Sequence, residues 1–137
     1  MWKGYLWVFI AILGIALAAF ALQIIAAESG EVVVLETRDG DGFASTRLWV
    51  VEDEGSLWLR SGGKTSGWYQ RLVAEPNVTL ERAGIQGAYR AHPEAERVHR
   101  INELMAAKYG WRDTVVGWFV GDRTADVPVR LERRPAG

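Results

Sequence analysis

The chain has 137 residues, with 16 basic and 17 acidic side chains, a formal net charge of −1 and no cysteine. Without cysteine there are no disulfides, thiolate metal sites or cysteine nucleophile, and the near-neutral balance without a polybasic run argues against nucleic acid as a partner. Most of the bases are Arg, the side chain suited to bidentate recognition of carboxylate or phosphate.

Residues 4–27 carry no charged side chain. At about 1.5 Å per helical residue, a hydrocarbon core of about 30 Å needs about 20 apolar residues, so this run predicts a transmembrane helix. Trp2, Tyr5 and Trp7 stand at its start, where amphipathic rings favour the headgroup level. Lys3 precedes the run while Glu28 and Glu31 follow it, so the positive-inside rule keeps the N-terminus cytoplasmic and places the rest on the periplasmic or extracytoplasmic side. The competing reading is a cleaved signal peptide, but the run is longer than an h-region of about 7–15 residues. Ala11, Gly14, Ala18 and Ala21 share one face of this helix and offer a surface for neighbouring membrane helices. The chain therefore divides into an anchor, residues 1–28, and one domain, residues 29–137, with length for a single core.

The domain opens with residues 31–37, a β-branched run that reads as a strand buried on both faces, ended by the Asp-Gly turn signals of 38–42. Residues 46–51 and 56–60 flank Glu52-Asp53-Glu54-Gly55, the pattern of a hairpin with a short acidic loop. Gly62 and Gly63 break the strand, Ser66 is placed to cap a short helix over 67–73, and Pro76 forbids its continuation. Residues 78–82 and 86–91 predict a second hairpin turning at Ala83-Gly84-Ile85. The longest soluble helix is predicted over 93–108, since Pro93 suits a first turn and Glu94 and Glu96 suit its start, with Val98, Ile101, Leu104 and Met105 as the apolar stripe. Trp111, Val115, Trp118 and Phe119 recur at helical spacing, although 114–120 also reads as a strand. Residues 126–132 alternate as a last strand, which Pro128 places at an edge or at a strand start. The sum is an α+β fold: a small antiparallel barrel with two or three helices, preceded by one transmembrane helix.

Several motifs have a plain structural reading. Gly63-Lys64-Thr65 ends like a P-loop, but the earlier Gly it needs falls on Trp58. His92, Glu96 and His99 fall at i, i+4 and i+7 of the predicted helix and could face a metal together, but exposed helix faces commonly carry such residues and no second cluster accompanies them, so no metal site is expected. Arg47 and Arg60 can pair with Glu52, Asp53 or Glu81 on a sheet face, and Trp68 and Tyr69 read first as core aromatics capping the barrel.

The segments Arg47-Leu48-Trp49-Val50-Val51, Leu57-Trp58-Leu59-Arg60-Ser61-Gly62-Gly63, Trp68-Tyr69-Gln70-Arg71-Leu72 with Glu75-Pro76-Asn77-Val78, and Tyr89-Arg90-Ala91, in this order, resemble the deazaflavin (F420)-dependent nitroreductase and quinone reductase family. The similarity covers residues 31–134. It implies the split β-barrel shared with pyridoxamine-phosphate oxidases, an F420 or FMN cofactor lying across the barrel, often between two subunits, and hydride transfer to a quinone or nitro compound. In the family a Gly-Arg-Lys-Ser-Gly-like loop before the second strand holds the cofactor's phosphate. Here that loop is Arg38-Asp39-Gly40-Asp41-Gly42-Phe43-Ala44-Ser45, with two Asp where positive charge and hydroxyls are expected. Arg47, which the family uses beside the phosphate, is kept; Ser61, Gly62, Gly63 and Trp68 match the segment facing the ring system, and Lys64 could reach a phosphate. No catalytic residue stands out.

Two functions compete for these residues. The acidic loop and the extracytoplasmic placement favour an anchored accessory subunit with a degenerate cofactor site, held in the lipid bilayer against other membrane-protein subunits or a second copy. The alternative is a flavin- or deazaflavin-dependent reductase meeting a lipid-soluble quinone at the membrane surface.

Overall fold

The computed structural model describes residues 2–28, 30–120 and 125–135. Helix α1 (Trp2–Glu28) is continuous, and its segment Trp2–Leu22 has a mean hydropathy of 2.5 with none of it buried against the rest of the chain. By length and composition it could cross a membrane.

The remaining elements run β1 (Val33–Asp39), β2 (Gly42–Leu48), β3 (Val51–Asp53), β4 (Ser56–Ser61), α2 (Gly67–Ala74), β5 (Asn77–Arg82), β6 (Ile85–Pro93), a 3-10 turn (Ala95–Arg97), α3 (Val98–Tyr109), α4 (Trp111–Val120) and β7 (Val127–Arg133). The strands form one seven-stranded antiparallel sheet in the order β2-β1-β5-β6-β7-β4-β3. Were the sheet flat, its edge strands would lie about 29 Å apart. Yet only Trp49 and Val50 separate β2 from β3, a link that spans at most about 11 Å between Leu48 and Val51. The sheet must therefore curl until its edges approach, and since no ladder joins β2 to β3 it is a barrel left open along that seam.

The same link corrects the strand expected over 46–51: the chain breaks at Trp49–Val50 because there it changes edges. Residues 31–37 are not buried on both faces either. Val33, Leu35 and Thr37 point inward and are fully buried, while Val34 and Glu36 stay partly exposed on the barrel's outer wall, where β-branched residues are equally at home. Both later hairpins close on two-residue turns, Glu54-Gly55 and Ala83-Gly84, with all four residues at positive φ, the twist that antiparallel strands favour.

Two prolines mark the place where β6 and β7 meet, and one of them departs from the sequence reading. Pro93 ends β6 opposite Val129 instead of opening a helix, and α3 starts only at Val98 after the 3-10 turn. Pro128 stands at the start of β7, one of the two places expected for it, although β7 is internal, between β6 and β4. The two facts share a cause. Glu94 N–H donates to the Pro128 carbonyl, while the Glu94 carbonyl takes the Arg97 N–H of the 3-10 turn, so the donor that Pro128 lacks has no acceptor waiting for it.

Burial divides into two cores. The inner one fills the barrel with Val33, Leu35, Leu59, Val78, Leu80, Val129 and Leu131, and α2 closes one barrel end over it with Trp68 and Leu72. The outer one lies between α3 and the far face of β3 and β4, with Val51 and Trp58 against Ile101, Met105 and Tyr109. Beside it the buried Arg60 side chain of β4 donates to Asn102 of α3 (3.2 Å) and Asp113 of α4 (2.7 Å), and its Nε lies 3.6 Å from Asp126. Arg60 thus binds the helices to the sheet, not Glu52, Asp53 or Glu81.

Candidate functional site at the α2 end of the barrel

Strand polarity sorts the loops into two ends. β1 runs away from α1, so the β1–β2 turn, the exit of β4 at Ser61 and the start of β5 gather at the far end, under α2. Ser61, Gly62, Gly63, Lys64 and Trp68 all belong to this end. Arg47 does not: it is exposed on β2, opposite Val34, about 17 Å along the strand from Gly42 at the α2 end.

The Ser61 hydroxyl is buried and spent within its own loop, donating to the Gly63 carbonyl at 2.5 Å and lying 2.7 Å from the Ser66 hydroxyl. Ser66 occupies the N-cap position of α2, but its side chain makes no capping bond because it faces Ser61 instead. Gly62 and Gly63 border open space, and Gly63, at φ +147, holds a conformation other residues rarely adopt. Lys64 is exposed beside them. Trp68 is 7% exposed and belongs to the inner core, in line with its reading as a core aromatic capping the barrel, so its ring face is taken by packing.

Arg71, which sequence reasoning did not single out, ties this end together. From the inner side of α2 it donates through Nε to Thr37 Oγ1 (2.8 Å) and through Nη2 to Thr46 Oγ1 (3.5 Å), joining the helix to β1 and β2. A Cβ on Gly67 would come within 3.0 Å of its Nη1, so the glycine makes room for the guanidinium. The signal was Thr37, a hydroxyl at an inward position of an alternating strand, which must find partners; it receives Arg71 and donates to the Ala44 carbonyl (3.3 Å).

The stretch 38–45 is not a loop. β1 runs to Asp39, Gly40 and Asp41 make the turn, and β2 begins at Gly42. Arg38 folds onto its own turn, donating to the Gly40 carbonyl (3.1 Å) with its guanidinium 5.3 Å from the Phe43 ring centre, while Asp39 and Asp41 stay exposed. At this end the turn carries carboxylates, Ser61 and Arg71 are bonded within the chain, Trp68 is packed in the core, and Arg47 stands farther along β2. Nor do His92, Glu96 and His99 share a helix, because His92 lies on β6 and pairs with Glu132 at 2.8 Å. Among the described residues no group of three potential metal ligands occurs.

The opposite end, where α1 joins the barrel, is a polar knot. Glu31 receives Arg82 (2.9 and 3.2 Å) and Lys108 (2.6 Å), and these hydrogen bonds lower its carboxyl from 4.5 to about 2. Arg82 also donates to Glu52 (2.6 Å), and Lys108 to the Val50 carbonyl (2.7 Å). The Tyr109 hydroxyl accepts the Val50 N–H (3.0 Å) and shares its one proton between the carbonyls of Glu31 (2.7 Å) and Val50 (3.1 Å); burial raises its pKa. Its ring stacks on Trp49, with centroids 4.2 Å apart, and against Gly30, whose φ of +79 and missing Cβ let the ring approach. A cavity of about 220 Å³ opens nearby, lined by Leu57, Leu80, Arg82, Gly87, Tyr89 and Arg133 among others.

No protein-family model and no curated protein matches the chain. Solved structures do. A candidate pyridoxamine 5′-phosphate oxidase from Listeria innocua matches with a TM-score of 0.57 at 19% identity, over 85% of this chain and 90% of that one. An F420 reductase matches with a TM-score of 0.54 at 13% identity, over 80% and 91%. The heme storage protein HutZ from Vibrio cholerae matches with a TM-score of 0.58 at 10% identity, over 85% and 87%. Likeness at such identities, to proteins named for such different chemistry, shows the fold alone: an α+β split barrel behind a long apolar helix.

Proposed function

We propose that the chain is a membrane-anchored split-barrel module acting as a non-catalytic accessory subunit. One observation carries this reading: at the α2 end the side chains that could grip a cofactor are already engaged, Ser61 within its loop, Arg71 on Thr37 and Thr46, and Trp68 in the core. Residues 1–28 form the anchor and 29–137 the domain. The step from Lys3 to Glu28 and Glu31 supports a cytoplasmic N-terminus and a periplasmic barrel. The small-residue face of α1, where a Cβ on Gly14 would meet nothing, supports packing against other membrane helices. Purification in mild detergent should yield a colourless protein whose absorption does not change with added FMN or F420, accompanied by stoichiometric membrane partners. A bound flavin or deazaflavin overturns the reading, and protease protection of residues 29–137 in inside-out vesicles checks the orientation.

A second reading, an F420- or FMN-dependent reductase of quinones or nitro compounds, has one observation in its favour. Gly62 and Gly63 leave open space beside the exposed Lys64, where a cofactor edge and its phosphate could enter. Loss of cofactor binding in Lys64→Ala would support it.

A further inference from the structure

α4 leaves three large aromatic side chains in the open: Trp118 is 72% exposed, Trp111 50% and Phe119 48%. Seven residues apart, Trp111 and Trp118 fall on one stripe of the helix. Val115, between them on that stripe, is buried, and Asp113 takes the Arg60 guanidinium of β4, so the helix is held in place while the rings on either side of Val115 stay open. Single exposed aromatics need no explanation, but an exposed cluster this size on one short helix marks a contact surface.

Its position says with what. α4 packs against α1. A Cβ on Gly30, just past the end of α1, would lie 3.6 Å from Arg112 Cδ, so the first turn of α4 stands where α1 ends. With Lys3 and the Trp2, Tyr5 and Trp7 rings at one headgroup level, the uncharged run 4–27 spans about 36 Å as a helix, a little more than the hydrocarbon core of about 30 Å, so Glu28 and Gly30 stand at the opposite headgroup layer. A helix lying against the end of α1 is therefore at headgroup depth, the level where indole rings are favoured. The carboxylate of Asp113 is turned away to Arg60, and the guanidinium of Arg112 lies 5.0 Å from the Trp111 ring centre, putting a cation in the same patch.

We propose that α4 is a second membrane element, an interfacial helix whose Trp111, Trp118 and Phe119 enter the headgroup–acyl boundary of the bilayer that α1 spans. This rests on the anchored reading given above, and the experiment separates the two. The chain has no cysteine, so Trp118→Cys, Leu13→Cys and Phe43→Cys each take a single environment-sensitive dye. The full-length variants are placed in phosphatidylcholine vesicles with and without nitroxide-labelled lipid. The dye at 118 should shift to the blue and be quenched several-fold more by nitroxide lipid than the dye at 43, which is exposed at the α2 end; the dye at 13 should be strongly quenched. An unquenched dye at 13 overturns the anchored reading and this one with it. Quenching at 13 with an aqueous dye at 118 overturns this inference alone, and so does a blue-shifted but unquenched dye at 118, which would mean that a protein covers the face. Phe119→Cys, with Trp118 intact, should repeat the 118 result and guards against damage by the first substitution.

Discussion

At the α1 end of the barrel the chain is held by polar groups, with Tyr109, Lys108 and Arg82 gathered on Gly30–Glu31; at the α2 end it is held by an apolar plug, Trp68 and Leu72, with hydroxyls arranged around it. The difference follows from what each end must do. A plug only has to exclude water, which non-directional burial does well. A junction with a separate helix has to fix direction, and hydrogen bonds with defined geometry do that. The α1 end therefore sets how the barrel stands against α1, and the α2 end should tolerate change in its polar groups.

Four substitutions test this contrast. Leu72→Ala empties part of the plug and should cost about 2–5 kcal/mol in urea denaturation. Tyr109→Phe strips a buried hydroxyl and leaves the Val50 N–H without its acceptor, for a loss of about 1–3 kcal/mol. Glu31→Gln should cost about 1 kcal/mol at neutral pH, since its ion pairs are part-exposed. The folded-state pKa of Glu31 is depressed, so its contribution is present above 4.5 and is lost as pH falls from 4.5 towards about 2. The variant should flatten the stability profile across that window in acid titrations followed by circular dichroism. Ser66→Ala should cost least, below about 1 kcal/mol, because the hydroxyl does not cap α2 and Ser61 keeps its bond to Gly63. A loss from Ser66→Ala equal to that from Tyr109→Phe would abolish the contrast.

Local signals in the sequence carried much of the fold. The Asp-Gly, Glu-Gly and Ala-Gly pairs marked the hairpins, Pro76 ended α2, and helical spacing at Trp111, Val115, Trp118 and Phe119 offered α4 beside a strand over 114–120 that the sequence left open. What escaped was not local. β7 lies between β4 and β6, and nothing in Pro128 itself says that the 3-10 turn removes the need for its N–H. Arg60 meets Asp113 across 53 residues and Arg71 meets Thr37 across 34, pairings that only the curl of the sheet decides. Tyr109 was within reach, for it continues the Ile101–Met105 stripe by one more turn, but its hydroxyl partners lie on the other side of the barrel seam. Of the candidate residues, Ser61, Gly62, Gly63, Lys64 and Trp68 lie together at the α2 end and Arg47 stands farther along β2, since a strand places its residues by length as well as by order.

The central place of β7 also orders events during synthesis. Roughly a hundred residues leave the ribosome between the end of α1 and the start of β7, an interval in which α1 is complete and the barrel cannot be. Until Val127–Arg133 arrives, β4 and β6 each present an unpaired edge, and these edges are the surfaces on which nascent chains stick to one another. On the anchored reading proposed above, tethering precedes folding and keeps each unfinished sheet dispersed in the plane of the bilayer while it waits for its last strand.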